Sequence, residues 1–163
     1  MSKQLTEAAQ AAQAAADFGA AADLVDDAAA AVFGVNRTDL RILGLVSEAG
    51  TLTAAALAGA AKLSPAAATT AVQRLVAAGH LTRTVDAADR RRAVIALTPT
   101  AVDLIEGVYG PIAKAGRREL ARYSAAELEL ITGFLRRGIA LQLAQAERVR
   151  TLVQPLGRRH PGD

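Results

Sequence analysis

Apolar side chains return at helical spacing along most of this chain, and the residues that interrupt them mark out the elements. From Gln4 to about Phe33, Leu5, Ala8, Ala12, Ala15, Leu24, Ala28 and Val32 define one side of an alanine-rich helix, with Gly19 as the place where it can break. Gly34 stops it. Thr38 reads as the next N-cap, and Asp39 sits well at the positive end of that helix dipole. Leu40, Leu43 and Val46 face inward, and Gly50 closes the segment. Thr53 then caps a short helix containing Leu57 and Ala60, and the turn Ala61-Lys62-Leu63 leads to Ser64. Ser64 is a second N-cap, with Pro65 at the first helical position. The helix it opens places Ala68, Val72, Leu75 and Val76 on one side and Thr69, Thr70, Gln73 and Arg74 on the other, and it ends at Gly79.

The period then changes from helical to alternating. Leu81–Val85 and Ala93–Leu97 predict two short strands, joined by Asp86-Ala87-Ala88-Asp89-Arg90-Arg91-Arg92. Thr98-Pro99 repeats the cap-then-proline signal and starts a long helix striped by Val102, Ile105, Val108, Tyr109, Ile112 and Leu120. Pro111 cannot donate to the carbonyl of Gly107, which predicts a kink near Tyr109–Pro111 and not an end. Ser124-Ala125-Ala126-Glu127 is a capping box. The last helix carries Leu128, Ile131, Leu135, Ile139 and Leu143 on one side, with Leu130, Phe134 and Leu141 beside them. The fold class is therefore mainly α with a small β-hairpin. Two short helices across a tight turn, the second polar outward, form a helix-turn-helix, and the hairpin makes it a winged one. A core of that size cannot also cover the apolar stripes at both chain ends, so a second copy is expected to bury them around a twofold axis. Residues 154–163 read as a loose tail.

Composition sharpens this picture in a few places. Hydrophobic residues make up 52% of the chain but aromatics only 3%, which favours helices packed closely on small side chains over a β-sandwich. The 163 residues suffice for one domain with a real core. No cysteine is present, which removes disulfides, cysteine zinc sites and thiol sensing. No apolar run reaches the ~20 residues of a membrane span, and residues 1–20 lack the pattern of a signal peptide, so a soluble cytoplasmic protein is expected. The net charge of +3 says little; the clustering at Arg83 and Arg90–Arg92 says more. His80 reads as a surface residue, and with His160 the only other histidine a metal cluster is not expected. Asp26-Asp27 and Glu127/Glu129 lack partners of matched role, and no nucleophile–base pair or phosphate loop is visible, so no enzymatic activity or cofactor is expected.

A helix with a polar outer face followed by a hairpin with an arginine-rich tip suits a reader of double-stranded DNA. Threonine hydroxyls at Thr69 and Thr70 can bond phosphate oxygens or base edges, and Gln73 can pair with adenine. Arg74 has two readings, a contact to guanine or phosphate and a salt bridge within the domain. Arg90 and Arg91 suit the narrow minor groove, because guanidinium is desolvated more easily than ammonium.

At these residues the sequence resembles the MarR family of winged helix-turn-helix transcription regulators. The matching pieces are Arg74-Leu75, Gly79-His80-Leu81 and Asp86-Ala87-Ala88-Asp89-Arg90-Arg91, and the wing signature falls on Asp89, Arg91, Leu97 and Thr98. The resemblance implies that Asp89 pairs with Arg91 and aims it, and that Thr69 and Arg74 act mainly in positioning. Ala66-Ala67-Ala68 and Thr70 depart from many relatives, which leaves few base-specific contacts. The candidate DNA-contacting set is Ser64, Thr69, Thr70, Gln73, Arg74, Asp89, Arg90 and Arg91. The implied organisation is a DNA-binding lobe over 36–98 and a helical dimerisation region over 4–33 and 99–150. It further implies a homodimeric repressor controlled by a small aromatic or anionic effector. Two other readings remain open: a winged-helix protein-interaction module, and an architectural DNA binder without sequence preference.

Overall fold

The computed structural model describes residues 2–85 and 93–152. Helix α1, Ser2–Phe33, is continuous, so Gly19 does not break it. Helix α2 covers Arg37–Ala49, strand β1 Thr51–Thr53, helix α3 Ala54–Ala61 and helix α4 Pro65–Ala77. Strands β2, Leu81–Val85, and β3, Ala93–Leu97, precede helices α5, Pro99–Leu120, and α6, Ala125–Leu152. The described chain is mainly helical with one small sheet. It divides into two compact units, residues 1–112 and 113–163, with α5 beginning in the first and ending in the second.

Helix ends follow one local rule in the first unit. Gly34 adopts φ +64°, with Val35 N–H reaching the Ala30 carbonyl and Gly34 N–H that of Ala31. The same paired bonds close α4, where Gly79 has φ +77° and His80 N–H reaches the Leu75 carbonyl. Lys62 takes that left-handed position after α3, at φ +54°, where a side chain costs more than glycine. The starts are capped by side chains. Ser64 Oγ accepts from Ala67 N–H at 3.2 Å and Thr53 Oγ1 from Ala56 N–H at 3.2 Å.

Thr38 is not the cap of α2. Asn36 is the last extended residue, at φ −83° and ψ 167°, and its Oδ1 accepts from Asp39 N–H at 2.9 Å; Thr38 already lies inside the first turn. A second correction concerns the sheet, which has three strands and not two, in the order β1-β3-β2. Thr51, Leu52 and Thr53 pair antiparallel with Ala96, Ile95 and Val94, and β2 pairs with the other edge of β3. Three residues are too few for an alternation to show in sequence, yet they satisfy an edge of β3 that a bare hairpin leaves open.

The core of the first unit gathers Leu40, Ile42, Leu43 and Val46 of α2, Leu57 of α3, and Ala71, Val72 and Leu75 of α4. Leu81 and Ile95 close it from the sheet, and Ala29, Ala30 and Phe33 from the last turn of α1. Val76 is 39% exposed, because one further residue around the helix carries it past the buried stripe. Upstream of Ala29, α1 holds no buried residue from Lys3 onward, and Leu5, Phe18, Leu24 and Val25 face outward.

Helix α5 runs on through Pro111, still in the first unit, without ending there. Ser124 and Glu127 form the capping box: Ser124 N–H donates to Glu127 Oε2 at 2.8 Å, and Glu127 N–H to Ser124 Oγ at 3.4 Å. Those side-chain and backbone donors hold the Glu127 carboxyl below its ordinary pKa. Its stabilising effect is therefore present above the unfolded-state pKa and fades as pH falls through the lowered one. No residue of α6 is buried, and Leu130, Phe134, Leu135, Ile139, Leu141 and Leu143 are exposed.

Leu75 is fully buried at the centre of the first unit's core. Leu75→Ala is expected to cost about 3 kcal/mol, as large-to-small core changes do, measured by urea denaturation.

Candidate nucleic-acid interface

Helix α4 is amphipathic in a way that fixes its orientation. Ala68, Ala71, Val72 and Leu75 recur at helical spacing and are buried against α2, α3 and β2. That burial turns Thr69, Thr70, Gln73 and Arg74 to the exposed side, as their positions in sequence require.

Each of these polar residues has a distinct hydrogen-bonding state. Thr69 Oγ1 donates to the Pro65 carbonyl at 2.9 Å, and Thr70 Oγ1 to that of Ala66 at 3.0 Å. Both hydroxyls thus spend their proton on their own helix and keep lone pairs that face outward. They can accept from an amino group as they stand, whereas bonding a phosphate oxygen requires rotating the hydroxyl. The Gln73 side chain makes no hydrogen bond among the described residues, so its amide keeps donor and acceptor together. Ser64 is committed to its capping bond with Ala67.

Arg74 is held by a carboxylate. Its Nε lies 3.0 Å from Asp39 Oδ2 and its Nη2 2.7 Å from Asp39 Oδ1, a two-pronged contact. The Asp39 side chain is only 4% exposed while that of Arg74 is 50% exposed. Asn36 Nδ2 adds a 3.0 Å bond to Asp39 Oδ2, so the buried charge is met by donors from α4 and from the cap of α2. The pairing with Asp39 raises the Arg74 pKa further above its ordinary value. One edge of the guanidinium is used inward, and its Nη1 edge stays available to solvent. The salt-bridge reading of Arg74 is therefore the observed one, and it leaves donors on the exposed side.

Asp39 was legible as a helix-start acid but not as the partner of Arg74. The available signal was the Asn36-x-x-Asp39 spacing, which places a cap and an acid on one first turn. Beside Arg74 runs an open groove of about 590 Å³, floored by Leu63, Ala67 and Ala71 and rimmed by Arg37, Thr70 and Arg74.

Thr98 ties the sheet to the end of α4. Its Oγ1 donates to the Gly79 carbonyl at 2.8 Å, and its N–H reaches the His80 carbonyl at 3.0 Å. His80 is half-buried, which corrects its reading as a surface residue. Its ring packs on Phe33 at 5.8 Å, and Nε2 lies 2.9 Å from the Phe33 carbonyl, which only accepts, so that nitrogen carries the proton. Arg83 on β2 is exposed. Asp89, Arg90 and Arg91 lie outside the described residues, as does the 154–163 tail. Among the described residues, no group of His, Asp or Glu is arranged to hold a metal ion, and no helix is long and apolar enough to cross a membrane.

A short helix, a tight turn, an amphipathic second helix and an antiparallel sheet tied to its end define a winged helix-turn-helix. Residues 33–92 match the model of the MarR family. The chain is 32% identical over 127 residues to a Bacillus subtilis (strain 168) protein named uncharacterized HTH-type transcriptional regulator YcgE, covering 78% of this chain and 82% of that one. It belongs to the MarR family, and is a winged-helix transcription regulator.

Solved structures share the fold. A MepR mutant from a multidrug-resistant S. aureus clinical isolate superposes with a TM-score of 0.59 at 21% identity, over 72% of this chain and 86% of that one. RV1404 from Mycobacterium tuberculosis gives 0.57 at 24% identity, over 72% and 83%. The S. aureus MepR–DNA complex gives 0.54 at 21% identity, over 72% and 94%.

The two kinds of residue on α4 are expected to separate in experiment. Arg74→Ala strands the buried Asp39 carboxylate and should lower the melting temperature by several degrees as well as DNA affinity. Thr70→Ala should leave the melt unchanged and lower affinity alone. Thermal melts followed by circular dichroism, with fluorescence anisotropy on a bound fragment, check both.

Proposed function

We propose that this protein is a homodimeric repressor that binds a pseudo-palindromic DNA operator through α4 and the wing. The observation that carries the reading is the exposed row Thr69, Thr70, Gln73 and Arg74 on a helix whose opposite side is locked in the core. Two such helices, related by a twofold axis, enter successive major grooves about one helical turn apart. Gln73 pairs with adenine, Thr69 and Thr70 accept from exocyclic amino groups or turn to phosphates, and the free edge of Arg74 binds a phosphate. Ser64, at the head of α4, brings the helix N-terminus to the DNA backbone. Arg90 and Arg91 reach the flanking minor groove, with Asp89 aiming Arg91. One structural neighbour, MepR, is known as a DNA complex, which supports a DNA partner for the same fold.

The terminal helices supply the dimer in this reading. The lobe spans 36–98, and residues 4–33 with 99–150 form the dimerisation region. Exposed apolar residues run along α1 and α6, including Leu5, Phe18 and Leu24 on the first and Leu130, Phe134 and Leu135 on the second. A second copy supplies the missing cover. A small aromatic or anionic effector then shifts the population between lobe spacings that fit the operator and those that do not. The role is regulatory and not catalytic.

Selection of bound fragments from the source genome by the purified protein tests the reading. A recurrent inverted repeat supports it; binding without sequence preference identifies an architectural binder, and no binding identifies a protein-interaction module. On the selected site, log affinity against log salt should fall with a slope near −0.9 per neutralised phosphate. Arg91→Ala is expected to weaken operator binding about tenfold with helicity and dimer intact, the low end of the ~1–3 kcal/mol that loss of a base-contacting arginine costs. Leu135→Asp is expected to disrupt the dimer by placing a charge in a shared apolar surface, as read by sedimentation.

A further inference from the structure

The joint between α1 and α2 carries a charged contact that neither the core nor the DNA-reading surface accounts for. Arg37, the first residue of α2, reaches back to α1 with both ends of its guanidinium. Nη1 lies 2.6 Å from Asp27 Oδ1 and 2.9 Å from the Asp23 carbonyl, and Nη2 lies 2.6 Å from Asp23 Oδ1. Asp26 Oδ2 stands 3.9 Å from Nη2, and Asp26 Oδ1 meets the Tyr109 hydroxyl of α5 at 3.5 Å. Burial first, and then the Asp26 charge, push the Tyr109 pKa up, so the phenol keeps its proton.

Asp23 and Asp27 are four residues apart and so share a face of α1; Asp27 lies two residues and Asp23 six residues before Ala29, the first of the buried residues Ala29, Ala30 and Phe33. The apolar grip on α1 covers its last turn only. With about 1.5 Å of rise per residue, its 32 residues make a lever of roughly 48 Å held at one end. A rotation of roughly 10° at the joint moves the far end by roughly 8 Å. The connector between the helices is Gly34-Val35-Asn36.

We propose that Arg37 is a brace that fixes the angle between α1 and α2, and thereby sets the distance between the two DNA-reading lobes of the dimer. The proposal rests on the homodimer reading given above. Exposed ion pairs contribute little to stability, so this contact is too exposed to act as a stabiliser. Two points of attachment on one side of a joint restrain its angle nonetheless, because a guanidinium fork holds a direction as well as a distance. Arg37 is a positioning residue here: it acts on the operator through the placement of α4.

The absence of cysteine from the chain makes the distance measurable. A single spin label at Glu48→Cys, exposed on α2, reports one lobe-to-lobe distance per dimer by pulsed electron resonance. The Arg37 background is expected to give one narrow distribution, and Arg37→Ala a broad one, with the melting temperature and the sedimentation of the dimer unchanged. Operator affinity should fall about fivefold, as coupling energies between linked sites predict.

Two further variants separate the brace from a direct contact. Removing a phosphate contact lowers the salt slope by about 0.9, whereas loss of the brace leaves it unchanged. The double variant Asp23→Asn/Asp27→Asn removes two negative charges, so electrostatics alone strengthens DNA binding; the brace requires that it weaken. Arg37→Lys, with a point charge and no fork, should fall between, and stands in for the alanine variant should that fail to fold. A wild-type distance distribution in Arg37→Ala, a reduced salt slope, or tighter binding by the Asp23/Asp27 double variant overturns the proposal. Absence of any label pair in the Arg37 background overturns the homodimer reading instead.

Discussion

A helix offers a polar surface to a partner only if its other side is held still, and in this protein everything depends on how α4 is held. Its inner stripe is narrow: Ala68, Ala71, Val72 and Leu75. Two alanines bring the helix close to its neighbours, and Leu75 supplies most of the apolar area, which places a large share of the restraint on one side chain. The alanines therefore act less as hydrophobic mass than as clearance. They let α2, α3 and the sheet approach α4 from several directions and fix its rotation about its own axis. Rotation is what matters, since about 100° separates Leu75 from Val76, and Val76 already faces solvent.

The polar restraints complete what the narrow stripe cannot. Arg74 and Asp39 join α4 to the first turn of α2 across 35 residues of sequence, and Asn36 braces the same carboxylate from the connector. Burying a carboxylate is costly unless charge and donors meet it, and both do here. At the other end of α4, Thr98 closes onto the carbonyl of Gly79 and then caps α5 by accepting from Ala101 N–H at 3.1 Å. One residue thus fixes the end of the reading helix, the exit of the sheet and the start of α5. A leucine-threonine pair at the end of the wing signature has a mechanical reason to be there.

Local chemistry was legible in sequence, and contacts across the chain were not. Ser64, Thr53, Gly34, Gly79 and the Ser124–Glu127 box act over three or four residues, and each does in the structure what its spacing says. Thr38 reads as a cap by residue type, and Asn36 two residues earlier is equally competent; only the backbone angles single out Asn36. Strand β1 was missed because three residues carry no period, and its reason for existing lies at Ala96, Ile95 and Val94, more than forty residues away. His80 looked superficial because a residue after a helix-ending glycine usually is. Its partners, the carbonyl and ring of Phe33, come from a helix 47 residues earlier.

The contrast between the two ends of the first unit explains why α1 needs a different kind of restraint from α4. Helix α4 is held along its length by apolar contact, which resists sliding, rolling and tilting together. Helix α1 has apolar contact only at Ala29, Ala30 and Phe33, a patch too short to resist tilting. Asp23, more than a turn before that patch, works at a longer arm from it, so a weak contact there restrains angle better than a strong one inside it. Geometry, and not depth of burial, decides what a weak interaction is good for. An exposed guanidinium with two carboxylates is a poor source of stability and a good stop for a lever.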